Sequence, residues 1–92
     1  MGRVKFALEK FDDKIIFGVA VVILNRRRAL GLSQTDLADT AGLHRTYISD
    51  IERGRRNLTL KTLVKLSSAL AMSASDFMRL VEEQQTKLVG TQ

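Results

Sequence analysis

The segment from Ser33 to Gly54 constrains this chain more than any other. Ser33 is a strong helix N-cap, and Asp36 stands three residues later, so Ser33-Gln-Thr-Asp36 reads as a capping box. That box predicts a short helix over Gln34 to Ala41, with Leu37, Ala38 and Ala41 on one face. Gly42 ends it, because glycine accepts the left-handed backbone that closes a helix. Leu43 falls in the turn. A second short helix follows from His44 or Arg45 to Arg53, and Gly54 stops it.

The flanks add three helices. One begins at Asp12 or Asp13, where acidic residues suit an N-terminus, and runs to about Leu30 before Gly31. Arg26, Arg27 and Arg28 fall in its last turns, where cations complement the helix dipole. Thr59 caps a fourth helix that is expected to bury Leu60, Leu63, Leu66 and Leu70. Ser73 and Asp76 form a second capping box, opening a fifth helix to about Gln85 that carries Phe77, Leu80 and Val81. Residues 1–12 show no firm period and fit an arm, a short helix or a strand. Residues 86–92 read as a loose end. The fold class is therefore all-α: a compact five-helix bundle forming one domain over residues 13–85. Two short helices across a tight glycine turn are the signature of a helix-turn-helix.

Composition narrows the chemistry. Hydrophobic residues at 45% and charged residues at 27% fit a packed domain and not a disordered tail. The chain has no cysteine, which excludes disulfides and thiolate metal sites, and a cytoplasmic location fits. The apolar run Ile15 to Leu24 is far shorter than the ~20 residues a membrane span needs, and no cleavage signal follows it. It is expected to be a buried helix. With one histidine, no glycine-rich phosphate loop and no HExxH motif, the chain does not read as an enzyme. No cofactor, metal or small-molecule ligand is expected.

The net charge is +5, which suits a polyanion partner. Its placement is more telling, since seven of the nine arginines lie between Arg26 and Arg56. At about 100° per residue, Ile48 and Ile51 define the buried side of the third helix. Thr46, Ser49, Asp50 and Arg53 point away from it, Arg45 lies on a flank, and Tyr47 and Glu52 border the core. Arginine donates two bonds to guanine, and Ser and Thr bond base edges or phosphates. Arg45, Thr46, Tyr47, Ser49 and Arg53 are therefore candidate base contacts. Tyr47 also fits a half-buried ring with a wet hydroxyl. Gln34 at a helix N-terminus, with Arg55, Arg56 and Asn57 just past the third helix, are candidate phosphate contacts. Glu52 would repel phosphate if it faced DNA, so an ion pair with Arg27 is expected.

The runs Gly31-Leu-Ser-Gln-Thr-Asp-Leu-Ala, Ala41-Gly-Leu and Tyr47-Ile-Ser-Asp-Ile-Glu-Arg-Gly54 resemble the xenobiotic-response-element and phage-repressor family of helix-turn-helix regulators, with a lambda-repressor-like DNA-binding domain. The resemblance covers about residues 13–82. His44-Arg-Thr-Tyr-Ile-Ser, then Ile51-Glu-Arg and Arg56-Asn-Leu-Thr, are similar to the controller proteins of restriction–modification systems. That likeness implies a compact dimer on operator sites near its own promoter. It also implies that Arg45, Thr46 and Tyr47 meet bases while Gln34, Arg56 and Asn57 hold the backbone. There are departures from the family pattern. His44 replaces the usual Ser or Asp cap, Leu58 stands where many relatives carry Pro, and Ala71 where many carry Gly.

The expected partners are a double-stranded DNA operator and a second copy of the chain, with no membrane. One short helix reads too few base pairs for genome-wide selectivity, so two copies are needed. The dimer surface is expected on the fifth helix and the start of the fourth, with Phe77 or its neighbours as anchors. Alternatives are a prophage repressor, an antitoxin-type autoregulator, or a helical protein-interaction module.

Overall fold

The computed structural model describes the backbone of residues 2–89 and the side chains of residues 14–86. Within these residues the architecture is five α-helices and no strand. They are α1 (Gly2–Ala29), α2 (Gln34–Ala41), α3 (Arg45–Glu52), α4 (Leu60–Ala69) and α5 (Ala74–Val89). The all-α, five-helix class is as the sequence predicts.

The short helices begin where their caps stand. Ser33 Oγ accepts from the Asp36 N–H while the Asp36 carboxylate accepts from the Ser33 N–H, both at 2.9 Å, completing the capping box. Gly42 closes α2 at φ 71°, in the left-handed region. Thr59 Oγ1 accepts from the Thr62 N–H at 3.1 Å. At α5 half of the expected box forms, with Ser73 Oγ accepting from the Asp76 N–H at 3.1 Å.

The two long helices outrun their expected limits. α1 starts at Gly2 and not at Asp12 or Asp13, so residues 2–12 are neither a separate arm nor a strand. Between Arg3 and Phe17 there is no glycine or proline, and nothing there stops a helix. α5 continues past Gln85 to Val89, so residues 86–89 are helical. Met1 and residues 90–92, which fall in the expected arm and tail, lie outside the described residues.

One core unites the helices. Val19, Val22 and Ile23 of α1 meet Leu37, Ala38 and Ala41 of α2, Ile48 and Ile51 of α3, Leu66 and Leu70 of α4, and Phe77 and Val81 of α5. Each large aliphatic among them contributes about 1.5–3 kcal/mol by leaving water. α1 lies against α5, and Gly18 permits their close approach. A Cβ at Gly18 would sit 3.2 Å from the Val81 carbonyl oxygen and 3.3 Å from its Cγ1.

Two expectations about apolar residues are corrected. Phe77 is fully buried in its own core and presents nothing to a second copy. Leu60, expected inside, is 78% exposed. Leu63, Leu66 and Leu70 share a narrow arc of α4, and Leu60 falls roughly 90° from its centre.

Candidate nucleic-acid interface

The candidate reading helix is held from behind. Glu52, at the end of α3, accepts from Arg27 Nε at 2.6 Å and Arg27 Nη2 at 2.9 Å. Arg27 Nη1 also donates to the Leu32 carbonyl at 2.9 Å, tying the same guanidinium to the α1–α2 turn. The expected ion pair therefore forms, and it is nearly shut off from water. Burial pushes the Glu52 carboxyl up. Hydrogen bonds from Arg27 and Gln34, with the charges of Arg27 and Arg28, outweigh that and hold it below the usual carboxylate range. The bond from Glu52 likewise raises Arg27, against the opposing effect of burial. Both partners stay charged, and the pair fixes α3 against α1.

From Glu52 the bonding runs outward to the solvent face. Gln34 Nε2 donates to Glu52 Oε1 at 3.0 Å, and Gln34 Oε1 accepts from Arg45 Nη1 at 3.2 Å. Both ends of this amide are thus engaged inside the protein. Gln34 also stands at the N-terminus of α2, where backbone N–H groups and the positive end of the helix dipole favour an anion.

A second cluster gathers around Tyr47, Asp50 and Arg56. The Arg56 guanidinium carbon lies 5.1 Å from the centroid of the Tyr47 ring. Arg56 Nε and Nη2 both reach Asp50 Oδ2, at 3.4 and 3.3 Å. Tyr47 is half-buried against the core, as one of its two readings expects, and its ring supports Arg56. Between the α2–α3 turn, α3 and α4 lies an open hollow of about 490 Å³, lined by His44, Thr46, Tyr47, Arg56 and Thr62 among others. His44 starts α3 with extended backbone and no side-chain capping bond, as expected of imidazole at that position.

The other candidates are placed separately. Arg45 and Thr46 are exposed in the first turn of α3, and Ser49 is half-buried one turn on. Arg53 is exposed at the C-terminal end of α3, beside Ile16, Phe17 and Gly54, and joins neither cluster. Arg55 and Asn57 are exposed in the loop before α4. Sequence reasoning gave Asp50 no role, although it is the one acid on the outward face of α3. That fact was the available signal. Arg45, Arg53, Arg55 and Arg56 are thus exposed along α3 and the segment after it, while of the two acids on α3 Glu52 is paired with Arg27 and Asp50 with Arg56.

Among known proteins, the family described as "Helix-turn-helix" matches residues 23–77. Control protein C.BamHI of Bacillus amyloliquefaciens is 42% identical over 65 residues, covering 71% of this chain and 79% of that protein. The restriction–modification controller protein C.Esp1396I is similar in structure, with a TM-score of 0.74 and 38% identity over 79% of this chain and 95% of that one. It has also been solved as a tetramer with its natural 35 base-pair operator. Variants of it at consecutive arginine, threonine and tyrosine residues match with TM-scores of 0.70, 0.71 and 0.72. The immunity repressor of Bacillus phage phi105 is 38% identical over 64 residues, but the match covers only 44% of that protein. With the family match spanning more than half of the chain, over the very helices whose caps, turn and exposed face are described above, this chain belongs to the helix-turn-helix family.

Proposed function

We infer that this chain is a sequence-specific DNA-binding transcription regulator, a homodimeric controller of a restriction–modification operon acting on its own promoter. The observation that carries the reading is the exposed arginines at the start of α3 and in the segment just after it, on a fold shared with a controller solved on its operator. Arg45, Thr46, Tyr47, Ser49 and Arg53 are the proposed base contacts. The only Arg-Thr-Tyr run in the chain is residues 45–47, the same three residue types, in order, that were varied in C.Esp1396I. Arg55, Arg56 and Asn57, with the α2 N-terminus at Gln34, are the proposed phosphate contacts. The controller reading is favoured over a phage repressor by coverage: the likeness spans most of C.BamHI and less than half of the phi105 repressor.

For the dimer, Leu60 and Val64 are the apolar side chains left uncovered at the start of α4, 78% and 49% exposed. They lie one turn apart on the same side of the helix. A two-fold pairing there replaces the expected Phe77 anchor, and it would set the two reading helices about 34 Å apart, one turn of DNA. A gel-shift titration on DNA from upstream of the chain's own gene, with random DNA as competitor, tests the function. A shift that survives the competitor supports an autoregulator. Binding that random DNA abolishes would contradict it.

A further inference from the structure

We propose that Asp50 is a specificity-determining residue, which holds Arg56 in the free protein and surrenders it to phosphate only when bases are read. This rests on the DNA-binding reading above. Arg56 lies in the irregular loop after α3, where a long side chain would otherwise sample many positions. Two contacts pin it: the Tyr47 ring beneath, at 5.1 Å, and Asp50 Oδ2, at 3.3 and 3.4 Å. Both Arg56 bonds fall on that one oxygen, which leaves Oδ1 for another donor. Asp50 shares the outward face of α3 with the base-reading candidates, and its side chain is 23% exposed.

The chemistry gives Asp50 two different costs. On an unmatched duplex, a phosphate takes Arg56 only by displacing a carboxylate, which is then left facing a polyanion. On a matched duplex, the same carboxylate accepts from the exocyclic amino group of a base in the major groove, as cytosine N4 or adenine N6 offers. The penalty therefore falls mainly on wrong sequences, which is how a repulsive group sharpens selection.

The test uses two duplexes: one recovered by the wild-type chain from a random library, and one of random sequence. Asp50→Asn is expected to bind the random duplex roughly three- to tenfold tighter, and its preference for the selected duplex to fall at least as far. The gain on random DNA is expected to vanish when Arg56→Ala is added. Asp50→Ala, read the same way, gives an independent check, since Asp50 is no part of the core. Equal tightening on both duplexes, or a gain that persists without Arg56, would overturn the proposal. If the wild-type chain recovers no preferred duplex, the DNA-reading function itself fails, and this inference with it.

Discussion

Arg27 grips Glu52 through two parallel hydrogen bonds, 2.6 and 2.9 Å, with side chains only 11% and 6% exposed. Removing one member leaves the other charge unpaired and largely screened from water. Glu52→Gln is therefore expected to cost about 3–5 kcal/mol of stability. Replacing both, as Arg27→Met with Glu52→Leu, is expected to cost less than Glu52→Gln alone. Urea denaturation of the three proteins checks the order. A double variant no more stable than the single one would mean that the pair does not act as a unit.

The same pair sets the response to acid. The Glu52 carboxyl is held below its ordinary value of 4.5, and Asp36 below 3.8 by bonds from the Ser33 backbone and side chain. A carboxyl depressed by folding contributes stability that is complete above its ordinary value and is lost as pH falls through the folded one. Melting temperature is thus expected to fall as pH drops below about 4.5, and to fall less steeply in Glu52→Gln. Equal steepness in the two proteins would remove Glu52 from the account.

Much of this was legible in the sequence. The Ser33–Asp36 box, the Gly42 turn and the Thr59 cap are local signals, and each closes within a few residues. The Arg27–Glu52 pair was foreseen from charge alone, because a carboxylate beside a DNA-facing surface needs a cation. What was missed depends on distance along the chain or on partners in space. Leu60 reads as one more leucine in a periodic run, yet the cap at Thr59 sets its angle outside the buried arc. Gly18 looks like any glycine in an apolar stretch until Val81 arrives from α5. The bonds of the Gln34 amide to Glu52 and Arg45 likewise appear only in the folded chain, because they join residues 11 and 18 positions apart.

Ala71 carries φ 59° in the turn after α4, a conformation glycine adopts freely and alanine does not. Arg26 steadies that turn, donating to the carbonyls of Leu70 at 2.9 Å and Ala71 at 3.4 Å. Ala71→Gly relieves the strain but loosens the unfolded chain, so a net gain of about 0.5–1 kcal/mol is expected. Thermal melting reads this as a rise of a few degrees. A fall would show that Ala71 is not strained.

Leu60 and Val64 are proposed to meet a second copy. Leu60→Glu is expected to leave melting of the monomer nearly unchanged, since the residue is 78% exposed, and to shift the chain from dimer to monomer in sedimentation velocity. A dimer that survives the substitution would place the interface elsewhere.

The central claim is that the exposed start of α3 reads bases, and Arg45 is its most direct test. Affinity of wild type and Arg45→Ala is measured on the preferred operator and on random duplex at one salt concentration. The account predicts a loss of roughly 1–3 kcal/mol on the operator and a much smaller loss on random DNA. An equal loss on both would show that Arg45 only grips phosphate, and would contradict the assignment of α3 as the reading helix.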